Sequence, residues 1–152
     1  MHTLISAVVA NKASDRIVTV DAGATVADAV AAMVTERVGA ILVKNEDELI
    51  EGIFTERDLL TRVVHAGRDP KSTPISLVMT RDVRFVTPGT TVEAALSLIH
   101  LNRHRHLLVI DGPRAYGLVS IGDLVRQIIE KGEGRFEAAV RDAAANDPAR
   151  SN

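Results

Sequence analysis

Nine residues, Gly52-Ile53-Phe54-Thr55-Glu56-Arg57-Asp58-Leu59-Leu60, come back with their skeleton intact as Gly117-Leu118-Val119-Ser120-Ile121-Gly122-Asp123-Leu124-Val125, 65 positions later. Each copy is a glycine, two apolar residues, a hydroxyl, two free positions, an aspartate and an apolar run. That order describes a strand turning into a helix. The same spacing relates Val63 and Val64 to Ile128 and Ile129, and Gly67 to Gly132. A single spacing held over so many positions means that one unit has been used twice, and any fold for this chain has to accommodate two copies.

The remaining segments repeat too. Leu4 to Val9 reads as a short leading helix ended by Asn11 and Lys12, and Ile17 to Val20 alternates like a strand. Thr25, with Asp28 three residues on, has the form of a capping box for a helix whose apolar stripe is Val26, Ala29, Val30, Met33 and Val34, with Gly39 as its stop. Ile41 to Val43 and Leu49 to Phe54 form a hairpin around the charged turn Asn45 to Glu48. In the second half the order recurs as a leading helix at Ile75 to Met79, a strand at Val83 to Thr87, and a helix carrying Val92, Ala95, Leu96 and Ile99. Strands Leu107 to Ile110 and Ala115 to Val119 follow. Val26 and Val92 are 66 apart, so the first hairpin turn holds one extra residue. Arg68 to Pro74, with two prolines and no apolar period, is the connector. Phe136 to Ala145 is expected as a weak amphipathic helix and Asn146 to Asn152 as a disordered end.

At 152 residues and 46% hydrophobic content the chain can bury a core. With aromatics at 3%, that core consists of Val, Ile, Leu and Ala packed as helices on strands. The lack of cysteine excludes disulfides and thiol chemistry. A formal charge of −2 and few stacking aromatics argue against nucleic acid as a partner. No uncharged apolar run approaches the roughly 20 residues of a membrane helix. The start, Met1-His2-Thr3-Leu4-Ile5, carries neither a basic leader nor a cleavage pattern, so a cytoplasmic location is expected.

The doubled Gly-apolar-apolar-[Ser/Thr]-x-x-Asp motif, Val78-Met79-Thr80 before the second copy and Arg105-His106-Leu107 at the start of its strand together resemble a tandem pair of CBS domains over residues 3 to 131. The resemblance is to stand-alone bacterial members of the family. It implies a mixed α/β (α+β) fold of two β-α-β-β-α units related by a pseudo-twofold axis, forming one Bateman-type module. The divisions expected are a first unit over 1–67 with its leading helix, a connector over 68–74, a second unit over 75–132, and a C-terminal helix and disordered tail over 133–152. It also implies two clefts for adenosine-containing ligands (AMP, ADP, ATP, NAD(H) or S-adenosylmethionine) acting as regulatory ligands, with no cofactor required. Homodimerisation and a regulated protein partner are further implications.

Two uses of the motif are open. Thr55 with Asp58, and Ser120 with Asp123, have capping-box spacing and can simply cap. The same turn also aims helix N–H groups at a cleft, where phosphate binds and an aspartate can accept from two ribose hydroxyls. By resemblance, Val18 and Val20 with Ala40 and Ile41 line one adenine slot, and Phe85 and Thr87 with His106 and Leu107 the other; equally, all eight are core. Arg57 belongs to the first motif, and the basic stretch Asn102 to His106 occurs only in the second copy. Arg105 and His106 either reach a phosphate or sit at a solvated helix end, where the dipole favours cations. This imbalance predicts unequal clefts. His100, His104 and His106 could align imidazoles, but no carboxylate joins them and Arg103 and Arg105 would repel a cation, so no metal site is expected. No nucleophile elbow, metalloprotease motif or phosphate-binding glycine loop is present, so a non-enzymatic role is expected, either as a ligand-binding regulator or as a ligand-free dimeric scaffold.

Overall fold

The structure, a computed structural model, describes residues 2–12 and 17–131. The expected C-terminal helix and tail lie outside the described residues. In chain order the elements are α1 (Ile5–Ala10), β1 (Thr19–Asp21), α2 (Val26–Glu36), β2 (Ala40–Lys44), β3 (Ile50–Thr55) and α3 (Glu56–Asp58), which runs on as a π-helix over Leu59–Val64. The second half holds α4 (Ile75–Val78), β4 (Phe85–Val86), α5 (Val92–Asn102), β5 (His106–Asp111), β6 (Arg114–Ser120) and α6 (Ile121–Glu130).

Each half makes a three-stranded sheet of the same design: β1 runs parallel to β2 and β2 antiparallel to β3, and β4, β5 and β6 repeat this. Alternation along the middle strands explains why they are apolar throughout. Ile41 and Val43 face the helices of the first core, while Ala40 and Leu42 face the other sheet. In β5, Leu107 and Val109 face helices and Leu108 faces the other sheet. A strand covered on both faces needs no polar alternation.

The leading helices are exchanged between the halves. Ile5, Val8 and Val9 of α1 are buried in the core of the second unit with Val92, Leu107 and Leu124, and Ile75 and Val78 of α4 are buried in the first with Val26, Ile41 and Phe54. Backbone bonds fasten the exchange, from Ile5 N–H to the Thr90 carbonyl at 2.8 Å and from Ile75 N–H to the Ala24 carbonyl at 2.8 Å. The connector is equally tied down, since the Pro70 and Thr73 carbonyls accept from Ala27 and Val26 at the start of α2.

Several local expectations shift. β1 starts at Thr19, two residues later than the alternation suggests, and β4 shrinks to Phe85–Val86. Thr25 does form the full capping box with Asp28, but α2 is stopped by Arg37 in the left-handed region at φ 56°, ahead of Gly39. Arg103 ends α5 in the same way at φ 54°. Val34, Leu60 and Val64 are more than half exposed rather than core. Of the apolar pair after each aspartate, Leu59 and Leu124 turn inward, while Leu60 is exposed and Val125 only partly covered.

Candidate functional site

The exchange and the twofold packing create two clefts, each drawing on both halves. The first, of about 750 Å³, sets the Thr55–Asp58 motif of the first copy against Asp82, Val83, Arg84 and the stretch Asn102–His106 of the second. The second, of about 360 Å³, sets Ser120 and Asp123 against Ile17, Val18 and Glu36–Ala40. Both volumes fall in the range of small-molecule sites.

Of the residues singled out in the sequence, Thr55, Arg57, Asp58, Arg105 and His106 meet in the first cleft, and Val18, Ala40, Ser120 and Asp123 meet with His106 in the second. Val20, Ile41, Phe85, Thr87 and Leu107 line neither. Ile41 and Leu107 are fully buried because strand alternation points them at the helices, one residue away from Ala40 and His106. Val20 packs on the first core, Phe85 is 61% exposed, and Thr87 is engaged in a turn with Thr90. The clefts are lined by residues just before the first strand of each sheet, Ile17 and Val18 in one and Val83 and Arg84 in the other. Arg62, Thr80 and Arg84 in the first cleft and Lys12 in the second were not singled out as site residues, and Arg103 only as part of the basic stretch. Only Arg62 had a local signal, standing four residues after Asp58 on the same helix face.

Both motif aspartates close capping boxes. Asp58 is 6% exposed. Its Oδ2 accepts from the Thr55 N–H at 3.0 Å and the Thr55 hydroxyl at 3.1 Å, and its Oδ1 accepts from the Thr80 hydroxyl at 3.1 Å with Arg62 Nε at 3.6 Å. A carboxylate offers about four lone-pair sites, and three of those of Asp58 accept hydrogen bonds while Arg62 stands beside Oδ1 as an ionic neighbour. Asp123 is less enclosed, with Oδ2 accepting from Ser120 N–H at 2.8 Å and Lys12 Nζ at 3.1 Å. Burial alone would push the Asp123 carboxyl up, but the Ser120 N–H and the Lys12 ammonium outweigh it and hold the carboxyl below its usual value. His106 borders both clefts, and burial lowers its pKa against the pull of Asp123 and Glu56.

The first cleft is rich in cations. Arg57, Arg62, Arg84, Arg103 and Arg105 line it against Glu56, Asp58 and Asp82. Asp82 pairs with Arg84 at 3.1 Å, whereas among the described residues Arg57, Arg103 and Arg105 have no carboxylate within 4.0 Å. The basic stretch of the second copy thus faces the motif of the first. Three guanidinium groups around one cavity suit a ligand with phosphate oxygens, which arginine binds in bidentate fashion.

The CBS domain family matches residues 6–65 and 75–130. The chain belongs to the CBS domain family. Among solved CBS structures, a CBS-domain protein from Burkholderia ambifaria MC40-6 is 36% identical with a TM-score of 0.81, covering 86% of this chain and 97% of that one. A hexameric CBS-CP12 protein from bloom-forming cyanobacteria is 30% identical with a TM-score of 0.76, covering 95% and 87%. The mitochondrial CBS domain-containing protein CBSX3 of Arabidopsis thaliana is 41% identical over 111 residues, 70% of this chain. This chain spans 54% of the length of that relative and 23% of the Arabidopsis CBS protein CBSCBSPB2. The paired sheets and exchanged leading helices form a CBS pair, a module of the regulatory type. Among the described residues no helix is long and apolar enough to cross a membrane, and no cluster of His, Cys, Asp or Glu suits a metal ion.

Proposed function

We propose that this CBS pair is a cytoplasmic, non-enzymatic regulatory module that binds an adenosine-containing ligand (AMP, ADP, ATP, NAD(H) or S-adenosylmethionine) and passes its occupancy to a protein partner. The observation that carries the reading is the group of three arginines, Arg57, Arg103 and Arg105, facing the first cleft without a carboxylate partner among the described residues. Phosphate oxygens would supply the missing charge. Asp58 Oδ1 accepts one hydrogen bond, from Thr80, with Arg62 Nε beyond hydrogen-bond distance at 3.6 Å, so a ribose hydroxyl can take its second lone pair.

Two copies are expected to pair, with Val34, Leu60 and Val64 of one half and Leu98, Leu101 and Ile129 of the other as the covered apolar face, since all six are exposed on the single chain. The second reading, a ligand-free dimeric scaffold, is favoured by one observation: both aspartates already complete capping boxes. Thermal unfolding with each adenosine ligand separates the two. A ligand bound only by the folded chain adds about 2.7 kcal/mol at a hundredfold excess over Kd. A melting temperature that no adenosine ligand moves at millimolar concentration would establish the scaffold.

A further inference from the structure

The second cleft already contains a bound cation, and it comes from the chain itself. Lys12, just past the end of α1, donates to the Leu118 carbonyl at 2.6 Å and lies 3.1 Å from Asp123 Oδ2. The pair is largely shielded, with side-chain exposures of 26% for Lys12 and 14% for Asp123. Its neighbours hold the end of α1 in place. Asn11 Nδ2 donates to Oε1 of the buried Gln127 at 3.1 Å, and the Val9 methyls lie where a side chain on Gly117 would begin. Lys12 is therefore presented to Asp123 by two contacts of the preceding residues, Val9 and Asn11, with the second unit.

The first cleft lacks this arrangement. There Met79 covers Gly52 as Val9 covers Gly117, and three residues beyond Met79 stands Asp82, which turns to Arg84. The residue matching Lys12 is thus an acid, and among the described residues Asp58 meets no ammonium group.

We propose that Lys12 keeps the second cleft closed to ligand by occupying the motif aspartate. The inference rests on reading the clefts as ligand sites. Asp123 Oδ2 has two lone pairs, and Ser120 N–H and Lys12 use both, so that among the described residues only Oδ1 is left to a ligand. A ribose that engages both carboxylate oxygens must displace the ammonium from Oδ2, which also takes the donor from the Leu118 carbonyl. At Oδ2 the ligand would gain a single bond where the protein loses two. The chain would consequently bind one ligand, in the first cleft, although it carries two motifs.

The test is calorimetric titration of ADP into wild type, Lys12→Met and Lys12→Gln. Lys12→Gln retains an amide donor for the Leu118 carbonyl and serves if the Met variant folds poorly. The expected result is one equivalent per chain for wild type and two for either variant, with affinity at the first cleft unchanged to about twofold. Lys12→Arg, which retains the cation, should stay at one. One equivalent in every protein would overturn the closure and leave the ligand reading intact. Two in wild type and fewer in the variants would make Lys12 a ligand contact and also overturn it. No binding by wild type but one equivalent in the variants supports the closure while removing the first cleft as the site. No binding by any of them overturns both.

Discussion

The two clefts come from the same nine-residue motif and the same strand order, yet they differ in volume by about twofold and in the state of their aspartates. In the first, the carboxylate is buried and bonded by Thr55 and Thr80 with Arg62 beside it, while Arg103 and Arg105 from the other half have no carboxylate within 4.0 Å among the described residues. In the second, the carboxylate is more open but held by a lysine, and Arg37 and Arg126 share the lining with Glu36. A duplicated motif preserves the helix turn while the surrounding charges diverge. Repetition of a motif is thus evidence for repeated backbone geometry, and the function of each copy depends on what the opposite half places against it.

The comparison breaks most visibly through the arginines. Arg57→Ala combined with Arg105→Ala should weaken nucleotide binding by about a hundredfold or more, because each bond to a charged acceptor contributes roughly 1.5–3 kcal/mol. Arg37→Ala with Arg126→Ala should change it by less than about twofold. Calorimetry on the two double variants measures the contrast, and an equal loss in both would make the clefts equivalent.

The glycines that open the two motifs should differ next. A Cβ on Gly52 would lie 2.6 Å from Met79 Sδ and 2.9 Å from the Thr80 carbonyl, whereas on Gly117 the nearest atom is a Val9 methyl at 3.1 Å. Backbone cannot yield as a methyl can, so Gly52→Ala should cost about 2–3 kcal/mol and Gly117→Ala about 1 kcal/mol or less in urea unfolding. Equal costs would mean that the first half relaxes as freely as the second.

Asp58→Asn should follow, at about 1–2 kcal/mol, because its amide must point a donor at Thr55 or at Thr80 and Arg62, all donors to that side chain. Asp123→Asn can keep its oxygen toward Ser120 and Lys12 and should cost less. Melting temperatures of the unliganded variants check the order.

The smallest effect concerns His106, shared by the clefts and faced by Asp123, Lys12, Glu56 and Arg105. Burial depresses its pKa in the folded chain, so the unfolded chain binds the proton more readily. Its contribution to stability is full above about pH 6.5, the unfolded value, and declines as pH falls toward and through the folded value. His106→Gln should flatten the stability curve across that window. An unchanged slope would place the titration elsewhere.

The two units, their strand and helix order and their capping residues were legible in the sequence because they are local. Alternation, 3.6-residue periodicity and a hydroxyl three positions before an aspartate act within one turn or one strand, and Thr25, Thr55 and Ser120 all cap as their spacing requires. Helix ends were less legible, since Arg37 and Arg103 take the left-handed conformation that Gly39 seemed to offer. The exchange of α1 and α4 left no mark on the spacing, because in a repeat a helix fits the neighbouring unit as well as its own. Only the packing of one sheet on the other, through Ala40, Leu42, Ile53 and Leu108, decided that the second copy's arginines face the first copy's motif and that Lys12 reaches Asp123. Those meetings join residues up to 111 positions apart, and it is the burial of apolar surface between the sheets, indifferent to the charges carried at its rim, that brings them together.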